Sequence, residues 1–116
     1  MATRALLGAL LVTLAVAPLV ADARDDAKKH VEFGIQVAQR GLWREAIFRW
    51  ERASKIDPTY AAAYNNLAIA YEHEGELDKA RAAYEKALEL EPDNALIKQN
   101  YELFKEINDR TSRQDQ

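Results

Sequence analysis

From Asp25 to about Asp109 the apolar side chains recur at intervals of three and four residues, the spacing of one helix face, and no two-residue strand alternation appears. The stripes break at Gly41 and Gly75, residues that can take the left-handed conformation closing a helix. They break again at Pro58 and Pro92, because proline cannot continue a helix interior. Five helices are predicted: Asp25 or Asp26 to Gln39 or Arg40, Leu42–Lys55, Thr59–Glu74, Leu77–Leu90, and Ala95 to about Asp109. Asp25 and Asp26 are expected to cap the first helix, and Asp93 or Asn94 the fifth. After Arg110 no apolar residue follows, so residues 111–116 are expected to fray.

The breaks keep a period. Moving back 34 residues carries Pro92 onto Pro58, Ala87 onto Ala53, Tyr84 onto Trp50, Ala80 onto Ala46 and Gly75 onto Gly41. The same shift carries Tyr71 onto Val37, Ala68 onto Gly34, Leu67 onto Phe33 and Tyr64 onto His30. Small residues (Gly34, Ala46, Ala53, Ala68, Ala80, Ala87) fall where helix axes must approach, and Phe33, Leu67, Trp50 and Tyr84 are expected to fill the space between. This pattern resembles the tetratricopeptide family, with its large-x2-Leu-Gly-x2-Tyr, Ala-x3-aromatic and Pro landmarks. Repeat one would be residues 27–60 and repeat two residues 61–94, with His30 and Val37 departing from the family's aromatic positions. The expected fold is all-α: two helix–turn–helix repeats stacked as a solenoid.

A solenoid needs an end that water tolerates. In the fifth helix Ile97, Tyr101 and Phe104 share a stripe beside Leu96, Leu103 and Ile107, while Lys98, Glu102, Lys105, Glu106 and Asp109 occupy the opposite arc. Residues 95–109 therefore read as a one-sided cap, and 24–110 as one tetratricopeptide-like domain.

The hydrophobic content of 48% is inflated by the start of the chain. Arg4 is followed by residues 5–21 without a charge, and Ala21-Asp22-Ala23 offers small residues at both cleavage positions. Residues 1–23 have the pattern of a secretory signal peptide, leaving Arg24 first in the mature chain. An uncleaved anchor is the alternative, through a segment at the short limit for spanning. The expected location is periplasmic or secreted, with membrane contact only if the leader stays. The chain has no cysteine, which is compatible with an oxidising compartment.

The net charge of −3 is unevenly divided. Residues 24–60 hold eight basic and six acidic side chains, and 61–94 hold three and eight. Either these are solvated faces, or they give weak head-to-tail self-association. No basic excess favours nucleic acid. Ser54, Ser112, His30 and His73 fall at unrelated helical positions, with no nucleophile and base at a set distance, so no catalytic site is expected. Neither a metal cluster nor a phosphate-binding glycine motif is legible, and no cofactor is expected.

In the resembling family the first helices line a concave groove. The corresponding candidates are Val31, Ile35, Asn65, Asn66, Ile69, Gln99 and Leu103, with Ile35, Ile69 and Leu103 again 34 apart. They would give an apolar floor with amide sides for a peptide or helix, or else fill the crease between neighbouring first helices. Asn66 is also a candidate for hydrogen bonds between repeats. One family subset clamps a terminal carboxylate; here Asn66 matches, but Val31, Ile35, Leu96 and Asn100 replace the other clamp residues. Phe48 points away from the core stripe of its helix, among Arg44, Arg52 and Lys55. It marks a second surface, for an acidic partner or a lipid headgroup, or it shelters the arginine stems. The functional expectation is non-catalytic binding of a protein segment, with a structural role in a self-assembling or multi-protein envelope complex as the alternative.

Overall fold

The computed structural model describes residues 17–114, without the side chains of residues 17–19, 111 and 112. Residues 1–16, most of the expected leader, and residues 115–116 of the expected tail lie outside the described residues. Five helices follow one another: α1 Ala17–Gln39, α2 Trp43–Ile56, α3 Ala61–His73, α4 Leu77–Leu90 and α5 Ala95–Gln114. They pack as α1 on α2 and α3 on α4, with α2 against α3 joining the pairs and α5 laid on α4. The all-α repeat solenoid read from the sequence is the observed architecture.

The two tight turns repeat each other bond for bond. Gly41 has φ of 80° and Gly75 of 75°. At the first turn Leu42 N–H donates to Val37 O at 3.0 Å and Gly41 N–H to Ala38 O at 2.9 Å. At the second, Glu76 N–H reaches Tyr71 O at 2.8 Å and Gly75 N–H reaches Glu72 O at 3.1 Å. These paired bonds satisfy carbonyls that a helix end leaves open, and the positive φ they need favours glycine.

The turn between repeats is built on a buried carboxylate. Asp57 accepts from Thr59 N–H at 3.0 Å and from the Thr59 hydroxyl at 2.7 Å. Arg24 donates to its second oxygen, tying α1 to the α2–α3 corner. Burial pushes the Asp57 carboxyl up, but the Thr59 hydroxyl and Arg24 outweigh it and hold its pKa below the ordinary carboxylate value. At the next corner Asn94, not Asp93, caps α5, its Oδ1 accepting Ile97 N–H at 3.1 Å.

Each helix is fastened to the one before it by a side-chain donor. Trp50 Nε1–H donates to Val31 O at 3.0 Å. The hydroxyl of Tyr71 reaches Glu51 at 2.7 Å, that of Tyr84 reaches Glu72 at 3.1 Å, and that of Tyr101 reaches Glu85 at 2.8 Å. Around these bonds the small residues Ala46, Ala53, Ala68, Ala80 and Ala87 are fully buried, which lets the helices close on Trp50 and Tyr84.

Three expectations are corrected. The helix around Asp25 and Asp26 begins earlier, at Ala17, so both are interior residues and neither is a cap. At the other end α5 continues past Asp109 to Gln114, supported by the i,i+4 pair of Arg110 with Glu106 at 2.6 Å, where fraying was expected. Phe33, expected in the core, is 42% exposed although its equivalent Leu67 is buried. The cause is position: α3 lies between α2 and α4, whereas no described helix precedes α1. Arg49, standing where repeat two has the buried Ala83, covers Phe33 instead, with its guanidinium 4.3 Å from the ring centre.

Candidate peptide-binding surface

Positions 34 residues apart on α1, α3 and α5 bring Ile35, Ile69 and Leu103 to matching places on the first helix of each unit. Their surroundings differ. Ile35 is 39% exposed and Leu103 55%, while Ile69 is half-buried and packs against the core. Leu96 and Ile107, on the same helix to either side of Leu103, are also exposed. The apolar floor is therefore most open along α5 and closes toward α3.

The expected polar sides are only partly present. Val31 is buried, and its carbonyl receives the Trp50 indole, so it belongs to the α1–α2 joint and not to the groove. Asn65 is buried too, its Oδ1 accepting from Asn100 Nδ2 at 3.2 Å across the α3–α5 step. The amide bond between units is made by Asn65, not by Asn66 as expected, because Asn66 donates to Ala62 O at 2.9 Å within its own helix. Gln99 remains exposed beside Leu103. An asparagine pair at 65 and 100, 35 apart instead of 34, was the signal that could have found this bridge.

The candidates for a second surface share one helix, with a fifth residue beside them. Arg44, Phe48, Arg52 and Lys55 are all exposed on α2. Sequence reasoning missed Arg49, which lies between two rings, 4.3 Å from the centre of Phe33 and 5.8 Å from that of Phe48. Their spacing on two different helices gave no local sign of the contact. Of the side chains weighed for catalysis, Ser54 Oγ–H donates to Glu51 O at 2.7 Å, and His73 stacks on Trp43 at 4.2 Å. Among the described residues no group of three or more His, Asp or Glu could hold a metal ion.

Two family models match this chain, one described as tetratricopeptide repeat over residues 61–94 and one as TPR repeat over residues 37–75. Together they run from residue 37 to residue 94, half of the chain. The chain belongs to the tetratricopeptide-repeat family. Tetratricopeptide modules mediate contacts between proteins. A tetratricopeptide repeat domain-containing protein of Arabidopsis thaliana, PYG7, chloroplastic, is 31% identical over 85 residues, covering 73% of this chain and 28% of that protein. The type IV pilus assembly protein PilF of Pseudomonas aeruginosa is 35% identical over 86 residues, 72% of this chain and 34% of that protein. The protein O-mannosyl-transferase TMTC4 of Mus musculus is 37% identical over 64 residues, 55% of this chain but 9% of that protein. This tetratricopeptide chain thus spans about a third or less of the length of these curated relatives.

Proposed function

We propose that this module is a non-catalytic binder that holds a segment of a protein partner on the apolar floor of Ile35, Ile69 and Leu103. One observation carries the reading: two of these three periodic side chains stay open to water instead of filling the crease between first helices. Apolar surface kept exposed at a fixed repeat position is what an amphipathic helix or extended peptide can cover. Gln99 stands ready for its backbone, and Asn66 at the rim keeps an acceptor oxygen.

The test replaces Leu103 and Ile35 together with lysine and spares Ile69, which also packs on the core. A partner captured by a photo-crosslinker at position 103 is then titrated against both proteins. Placing charge where an apolar ligand face must be desolvated costs about 2–4 kcal/mol, or roughly thirty- to a thousandfold in affinity. Melting should change little, since both side chains already face water and lysine keeps helix propensity. Equal affinity for a folded double variant would reject the groove.

The leader pattern supports an exported location, with cleavage after Ala23. Cutting α1 there leaves Arg24 free to keep its contact with Asp57 and sets Asp25 and Asp26 in the new first turn, where carboxylates suit the helix dipole. The intact mass of protein recovered after export should correspond to residues 24–116. Recovery of the full chain in the membrane fraction would mean an anchor. The relative named for type IV pilus assembly favours a second reading, a structural part of a multi-protein envelope complex.

A further inference from the structure

Charge is used differently in the two repeats. Every Lys and Arg between residues 61 and 110 has a carboxylate within 4.0 Å. On α2, by contrast, Arg44, Arg52 and Lys55 form no ion pair or hydrogen bond among the described residues. At 100° per residue these three cations and Phe48 fall within about 80° of arc, one stripe of one helix. Phe48 is 56% exposed at its centre. The acids beside the stripe are committed elsewhere, Glu51 to the Tyr71 hydroxyl at 2.7 Å and Glu45 to Arg49 at 3.4 Å. Phe48, Glu51, Arg52 and Lys55 enclose a notch of about 100 Å³, room for one small apolar side chain.

We propose that this face of α2, separate from the concave groove, docks an acidic segment of a partner protein that carries one apolar side chain for the notch. Unpaired cations around an exposed ring call for carboxylates, and the Arg49 guanidinium between Phe33 and Phe48 holds the ring in place. A bilayer fits less well. One phenylalanine offers little apolar area to a membrane. A second copy also fits less well, because most carboxylates of repeat two are engaged internally. Glu72 and Glu85 accept tyrosine hydroxyls, while Glu76 and Glu89 pair with Lys79 and Lys86.

The probe is a fluorescein-labelled ten-residue peptide of Asp and Glu with a central Leu, titrated by anisotropy against the full chain. Arg52→Glu with Lys55→Glu should weaken binding about thirtyfold, and Phe48→Ser about fivefold. Changing the peptide's Leu to Ser should cost the same about fivefold. Lys29→Glu with Arg40→Glu alters net charge equally but lies on and just after α1, so it should cost less than about threefold. Leu103→Lys with Ile35→Lys should leave this binding intact, which separates it from the groove. The proposal is overturned if the peptide fails to bind, or if the two charge reversals weaken it equally. It is also overturned if phosphatidylserine vesicles bind through Phe48 and the peptide does not. Self-association in sedimentation that Arg52→Glu with Lys55→Glu removes would overturn it in favour of a second copy.

Discussion

A chain ending at Asn94 loses cooperative unfolding. The loss follows from what α5 covers: Ile97 and Phe104 are almost fully buried, and Tyr101 stacks 5.5 Å from Tyr84. Tyr84 is itself among the largest fully buried side chains, and it lies 5.4 Å from Phe104. Three side chains at about 1.5–3 kcal/mol each approach the whole stability of a small domain, about 5–15 kcal/mol. Removing α5 also exposes an aromatic face of α4 and leaves the Asn65 amide without Asn100. Thermal melts by circular dichroism, comparing chains ending at Asn94 and at Gln116, test this directly. Equal midpoints and equally sharp transitions would show that α5 is an appendage.

The second large effect comes from a single methyl group. Alanine at position 34 should lower stability by about 2–4 kcal/mol, although alanine favours a helix over glycine by about 1 kcal/mol. A Cβ built there would lie 2.3 Å from Trp50 Nε1 and 2.7 Å from Cε2. These atoms belong to a rigid ring whose N–H is bonded to Val31 O, so the indole cannot yield without losing that buried bond. For a domain of this size the midpoint should fall by roughly 10–25 °C. The control is the Trp50→Phe background, where a smaller ring leaves room. There Gly34→Ala should cost at least about 1 kcal/mol less, a coupling expected only of groups in contact. Equal costs in both backgrounds would mean the two helices can move apart freely.

The repeat was legible because its rules are local and periodic. Gly41 and Gly75 close helices through their own φ, and Ala46, Ala80, Ala53 and Ala87 recur wherever two axes must approach. Features at the ends of the array were harder, since period alone assigns Phe33 the environment of Leu67. Whether a neighbouring helix covers it depends on what comes before, and Arg49 reaches it from α2. The candidate surfaces were legible in part for the same reason. Periodicity placed Ile35, Ile69 and Leu103 on one side, but exposure depends on which helices pack against each one. Asn65 is buried and bonded to Asn100, while Leu103 stays open. The start of α1 was misread from a cap signal. Asp25 and Asp26 are acceptable in a helix interior, and nothing between Ala17 and Asp25 stops the helix except Pro18, which the first turn tolerates.

The tyrosine fastenings between successive helices also give the module a weakness in strong base. Burial first, and then the neighbouring carboxylate, raise the phenols of Tyr71, Tyr84 and Tyr101 above the ordinary value of 10.0. A raised phenol favours folding in full below its unfolded pKa, and that contribution disappears as pH climbs through the folded one. Ionisation would set a phenolate against Glu51, Glu72 or Glu85, turning each hydrogen bond into a repulsion between two anions. The three joints from α2 to α5 share this chemistry, whereas α1 and α2 are joined by an indole that does not titrate. Alkali therefore loosens the later joints while leaving the indole bond between the first two helices in place.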